Sequence, residues 1–162
     1  MKPKEQEILA KIKQAFDNLN KTLHEELKAI TSGDYGLEDE DERGNVSVLE
    51  FNYFLPKLEV ALSANNPEDD QLGYKDLLGG KGILEEVEDM KPYQESFEED
   101  SLTKEEREFY QQIEKDFAKW FSLLWQHAGG KTVPIRAYLN PQDGLVRYDL
   151  LKDEWVKDES FK

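Results

Sequence analysis

Residues 46–62 read VSVLEFNYFLPKLEVAL, and two periodicities compete over them. Ser47-Val48-Leu49-Glu50 has the spacing of a capping box, Val46 and Phe51 stand where a hydrophobic staple would, and Phe51, Phe54, Leu55, Leu58, Ala61 and Leu62 follow helical spacing. On that reading a second helix begins here. Pro56 would kink it, and the alternation of Val46 with Val48 also admits a short strand. The helix is the favoured expectation, which leaves the sheet to the C-terminal third of the chain.

On the N-terminal side, Ile8, Ile12, Phe16, Leu19, Leu23, Leu27 and Ile30 recur every three or four residues. That stripe predicts one long helix over residues 5–30, ended by Ser32-Gly33 and packed on one or two other helices. Between the two helices lies SGDYGLEDEDERGN, residues 32–45, too acidic and too rich in glycine to be buried, and it reads as an exposed loop.

On the C-terminal side, residues 64–102 contain ANNPEDDQ, LLGGKG and DMKPYQESFEEDS, breaker-rich segments that predict loops and short helices. Thr103-Lys104-Glu105-Glu106 is a second capping box. Phe109, Ile113, Phe117, Trp120, Phe121, Leu124 and Trp125 then mark a helix over about 103–128 that ends at Ala128-Gly129. Beyond it Val133, Ile135, Ala137 and Leu139 alternate, Asn140-Pro141-Gln142-Asp143-Gly144 carries turn chemistry, and Leu145–Leu150 can return. Trp155 can sit on a third strand, and Lys157–Lys162 is expected to fray. The expected fold is therefore α+β: a long N-terminal helix and the 103–128 helix, packed with a small C-terminal antiparallel β-hairpin or meander. An isolated hairpin is marginal in water, so this sheet must rest on the helix or gain strands from elsewhere.

At 162 residues the chain suits a single domain, 1–162, and its eight Phe, seven Tyr and three Trp supply the apolar surface a disordered chain lacks. Charge divides it unevenly. Residues 34–108 hold 23 Asp and Glu against 7 Lys and Arg, a net of −16, in a chain whose total is −15. The flanks, 1–33 and 109–162, form a near-neutral frame around this acidic middle. There is no cysteine, which excludes disulfides, thiolate nucleophiles and iron–sulfur clusters, and fits the reducing cytoplasm. No stretch approaches the ~20 apolar residues of a membrane span, and the N-terminus lacks a signal-peptide core. Clustered Lys or Arg would be needed to hold nucleic-acid backbones or anionic lipid, so neither direct nucleic-acid binding nor a membrane surface is expected.

Enzyme motifs fail on their own terms. Gly129-Gly130-Lys131-Thr132 ends like a phosphate loop, but Trp125 stands where the first glycine belongs, and a helix ends there instead of starting, so no nucleotide is expected. Gly79-Gly80-Lys81-Gly82 lacks the Ser or Thr that would ligate magnesium and reads as a turn. Only His24 and His127 are present; HEELK at 24–28 lacks the second histidine of a zinc helix, and His127 suits the negative end of a helix.

Residues 39–50 match a calcium loop at several places. Asp39 and Asp41 fall first and third, Gly44 sixth, Asn45 seventh, Ser47 ninth and Glu50 twelfth, an order in which alternate oxygens can converge on a hard cation. Arg43 occupies the fifth place, normally an oxygen ligand, and the glycines at 33 and 36 break the entering helix. Calcium is the one candidate cofactor.

Aromatic side chains interleaved with acids suit an interface whose partner is basic, because Tyr, Trp and Phe dominate interface centres and opposite charge steers encounter. The candidate partner-binding residues are Glu38, Asp39, Glu40, Asp41, Glu42, Glu85, Glu86, Glu88, Asp89, Tyr93 and Phe97. A protein imitating DNA is the further alternative; it requires carboxylates spaced like phosphates.

This small, cysteine-free, acidic α+β profile resembles the single-domain immunity-type proteins that neutralise bacterial toxins. The end of the chain, Trp120-Phe121 to Trp125 and Gly129-Gly130, then Ala137-Tyr138, Tyr148-Asp149-Leu150 and Trp155, is also similar to uncharacterised bacterial proteins of this size. The resemblance implies a non-enzymatic inhibitor that masks a basic, often nuclease, surface, and it carries no active-site residues with it.

Overall fold

The 46–62 stretch forms strands. In the computed structural model, which describes residues 1–142, 144 and 146–157, Val48–Phe54 is strand β1 and Glu59–Asn65 is β2, paired antiparallel with Leu49 opposite Ala64 and Phe54 opposite Glu59. The expected second helix is thereby corrected. Its physical failure is twofold: Pro56 lacks the N–H a helix interior needs and sits in the connection between the strands, and Leu49, Phe51 and Tyr53 alternate with Glu50 and Asn52 at the period of a strand. β3, Gln71–Asp76, extends the hairpin.

The C-terminal meander is present as β4 (Arg136–Pro141), β5 (Val146–Asp149) and β6 (Glu154–Lys157), with Trp155 on the third strand as expected. It is not a separate small sheet. β4 lies parallel to β1, Leu49 beside Ala137 and Phe51 beside Leu139, so that all six strands join in the order β3-β2-β1-β4-β5-β6. The acidic middle therefore supplies half of the sheet. Within the expected 140–144 turn, Asp143 lies outside the described residues, as do Leu145 and the expected frayed tail beyond Lys157.

Two long helices cover one face. α1, Pro3–Thr31, buries Ile8, Ile12, Phe16, Leu23, Leu27 and Ile30 along the expected stripe. A short helix, α2 (Lys91–Glu98), precedes α3, Lys104–His127, which starts on the reciprocal cap read from the sequence: Glu106 N–H donates to Thr103 Oγ1 at 3.1 Å and Thr103 N–H to Glu106 Oε1 at 2.9 Å. α3 ends as expected, with Gly129 at φ +91°. The next residue, Gly130, packs beneath Trp125, where a Cβ would fall 2.1 Å from the indole Cε2.

The core is aromatic. Phe51 of β1 meets Phe121 and Trp125 of α3 at ring-centre distances of 4.9 and 5.3 Å, Tyr53 meets Phe117 at 5.2 Å, and Phe16 of α1 stacks on Trp120 at 4.6 Å. Among the described residues, no helix is long and apolar enough to cross a membrane.

Candidate functional site

If odd-numbered residues of β1 face the helices, even-numbered ones must face away. That second face is a groove of about 940 Å³. Register sets its floor: Glu50 on β1 stands beside Ser63 on β2 and Tyr138 on β4, and Asn52 stands beside Ala61 and Asn140. Asn140 Nδ2 donates to Asn52 Oδ1 at 3.0 Å, tying together the one parallel strand pair of the described sheet. Arg147, on β5, lays its guanidinium over the Tyr138 ring, with the central carbon 3.8 Å from the ring centre, and its Nη1 lies 4.0 Å from Glu50 Oε1. Its Nε is buried without a hydrogen-bond partner. A charged pair on a ring face in the middle of a sheet is a costly floor to build, since both charges lose water that a neutral pair would not have lost.

Toward β2 and β3 the groove is lined by exposed rings. Phe54 is 47% and Tyr74 52% exposed, large values for rings in a folded chain. Between them the floor is Ala61, small enough to leave a dent, opposite Asn52 on one side and Asp76 on the other. Glu59 pairs with Phe54 across the hairpin, and Asp76 Oδ1 accepts from the Tyr74 hydroxyl at 3.0 Å. The Tyr74 phenol is raised above its ordinary range, first by partial burial, then by that hydrogen bond and by the negative charges of Asp76 and Glu59. Asp69 adds another carboxylate to this end of the lining, whereas Arg136 and Arg147 line the β4–β5 end.

The candidate partner-binding residues singled out from sequence lie elsewhere and do not converge. Glu38 to Glu42 occupy the connection from α1 to β1, leading into a 3-10 turn over Glu40–Asn45 that Asp39 caps. There Asp41 N–H donates to Asp39 Oδ1 at 3.0 Å, Glu40 pairs with Arg43, and Asn45 donates to Glu42 Oε2 at 2.7 Å. Glu85, Glu86, Glu88 and Asp89 lie in tight turns beside α1. Glu85 accepts from Gly82 N–H at 3.3 Å and stands 3.6 Å from Lys57, while Lys11 of α1 donates to Asp89 and holds its carboxyl below the ordinary range. Tyr93 and Phe97 are half-buried, with their rings 5.0 Å from Phe109 and 5.4 Å from Tyr110, so they serve as packing between α2 and α3.

Of the five candidate calcium ligands, Asp39 caps the 3-10 turn to which Asp41 and Asn45 belong, whereas Glu50 is in the middle of β1, near Arg147. Ser47 donates its backbone N–H to Asn65 O at 2.9 Å and lines the groove. Among the described residues no group of three or more His, Cys, Asp or Glu stands together so as to hold a metal ion.

Sequence reasoning missed Phe54, Tyr74, Tyr138 and Arg147. The signal that could have found Phe54 and Tyr138 was the outward half of the alternation, Glu50-x-Asn52-x-Phe54, read against Arg136-x-Tyr138-x-Asn140. No family model, curated protein or solved structure matches the chain.

Proposed function

We propose that this chain is a non-enzymatic partner-binding protein, an inhibitor of the immunity type, that masks a basic protein surface. The observation that supports this reading best is the groove across the outer sheet face, where the exposed rings of Phe54 and Tyr74 stand among Glu59, Asp69 and Asp76. Aromatic anchors in a depression with carboxylates around them suit a protein partner that brings Lys and Arg. The exposed acids Glu38 to Asp41 and Glu85, Glu86 and Glu88 then act at longer range, raising the encounter rate without lying in the contact.

Capture on the immobilised full chain from its own cells, followed by association kinetics with the purified captured protein, tests this. The expected partner is basic, its association slows as salt rises, and reversal of Asp39, Glu40, Asp41 and Glu42 to lysine slows it further. A partner without basic character, or a rate indifferent to salt and to the reversal, would overturn the reading.

A further inference from the structure

The dent over Ala61 has chemistry of its own. We infer that it is the subsite that receives an arginine side chain of the partner, the guanidinium lying between the Phe54 and Tyr74 rings and facing the carboxylates of Glu59 and Asp76. The inference rests on the basic-partner reading above and adds to it a place and a residue type.

Four observations converge on the assignment. The register brings Phe54, Glu59, Ala61, Asp76 and Tyr74 onto one face of three adjacent strands, so the two rings and the two carboxylates surround the smallest side chain among them. Both rings line the groove and remain about half exposed, and neither packs on another aromatic ring among the described residues, so their faces are available to a ligand. Glu59 and Asp76 are exposed, and among the described residues neither has a Lys, Arg or His within 4.0 Å, unlike Asp34 with Lys75 or Glu85 with Lys57. Asp76 is already oriented by the Tyr74 hydroxyl at 3.0 Å, which leaves its second oxygen for an incoming donor.

Guanidinium fits this arrangement better than ammonium. It is flat, it is weakly hydrated on its faces, and it can stack on a ring while its edge forms two charge-assisted hydrogen bonds in its own plane. The molecule contains the same motif internally, with Arg147 stacked on Tyr138 in the direction of Glu50. An arginine in the dent would repeat it one strand pair away, with the partner supplying the cation. The groove's other end carries Arg136 and Arg147 and would repel a second one, so the subsite takes a single arginine and not a basic tract.

Amide nitrogen–proton spectra of the full chain, titrated with acetyl-(Gly-Arg)4-amide and with the same peptide bearing citrulline for arginine, test the assignment. The arginine peptide is expected to give saturable shifts centred on residues 52–61 and 73–76. Citrulline keeps the shape and removes the charge, and should weaken the response by about tenfold or more. E59Q/D76N should do the same, and Phe54→Ala should weaken it by roughly threefold to tenfold, the range expected for one cation–ring contact. These positions are exposed, so an unchanged unfolding midpoint certifies each variant.

Saturable shifts at 38–42 or 85–89 with the groove silent would overturn the subsite and leave the basic-partner reading standing. No saturable shift anywhere, or equal response to the citrulline peptide, would also overturn the subsite; the wider reading then falls only if the captured partner lacks basic character.

Discussion

The two faces of the sheet are made from alternate residues of the same strands, yet one is sealed by aromatic packing and the other is open and polar. On the covered face Leu49, Phe51, Tyr53, Val60 and Leu62 are essentially inaccessible, and Phe51 and Tyr53 meet Phe117, Phe121 and Trp125 of α3. On the open face Asn52 bonds to Asn140, Arg147 stacks on Tyr138 with its Nε buried and unpartnered, and Phe54 and Tyr74 stay half exposed. The contrast separates the residues that hold the fold from a second set that the helices leave uncovered. It also predicts that equal chemical changes on the two faces have unequal costs.

The largest inequality concerns phenylalanine. Phe121→Ala empties a fully buried site between Phe51 and Phe117 and should cost about 3–5 kcal/mol, read as a large fall in the denaturant midpoint at unchanged slope. Phe54→Ala, the same deletion on the open face, should stay within about 0.5 kcal/mol of the parent. Similar losses for the two would mean that Phe54 is part of the core, and the face would no longer qualify as a binding surface.

Tyrosine gives the next test. Tyr53 is buried, and its hydroxyl donates to Glu114 Oε2 at 2.7 Å, so Tyr53→Phe leaves a half-buried carboxylate without its donor and should cost about 1–3 kcal/mol. The Tyr74 hydroxyl donates to an exposed Asp76, and Tyr74→Phe should change stability by no more than about 0.5 kcal/mol. Between these two falls Asn140→Ala, which removes the amide bridge to Asn52 across the parallel pair. It should cost about 1 kcal/mol, a cost that chemical denaturation resolves.

How much of this contrast could be read beforehand depended on distance along the chain. The stripe from Ile8 to Ile30, the Thr103–Glu106 cap and the 136–157 meander are local patterns, and each produced the element it implied. β1 and β2 misled because Phe51, Phe54, Leu55 and Leu58 happen to fall at helical spacing, while the strand period is carried by Leu49, Phe51 and Tyr53, one residue out of step with the Val46–Val48 alternation. The groove was illegible for a different reason. Asn52 meets Asn140 across 88 positions, and Arg147, stacked on Tyr138 within the β4–β5 pair, comes near Glu50 only because β4 docks beside β1. Charge counting pointed to the acidic runs 38–42 and 85–89, which are conspicuous in one dimension because loops and turns tolerate runs of like charge. The acids of the groove, Glu59, Asp69 and Asp76, stand apart in sequence and share one lining only in the folded sheet.

The finest test of the comparison is a carboxylate placed on the covered side. Burial pushes the Glu114 carboxyl up, and the hydrogen bond from Tyr53 offsets only part of that push. A carboxyl whose folded value is raised binds its proton more tightly in the folded chain than in the unfolded one. Its contribution to stability is therefore fully present below the unfolded value and is lost as pH rises through the folded one. Glu114→Gln keeps an oxygen to accept from Tyr53 and cannot ionise, so it escapes that loss. The variant should match the parent at acid pH and exceed it modestly at neutral pH, with the gap opening as the carboxyl titrates. The paired carboxyl of Asp34 behaves with the opposite sign: the hydrogen bond from Lys75 lowers its value, so its contribution is present above the unfolded carboxyl range and is lost on acidification. Unfolding curves of the parent, Glu114→Gln and Asp34→Asn across the acid range separate the two. If Glu114→Gln were less stable than the parent at neutral pH, the charge of Glu114 would be a stabilising part of the covered layer, and the division between a dry face and a polar one would have to be redrawn at Tyr53.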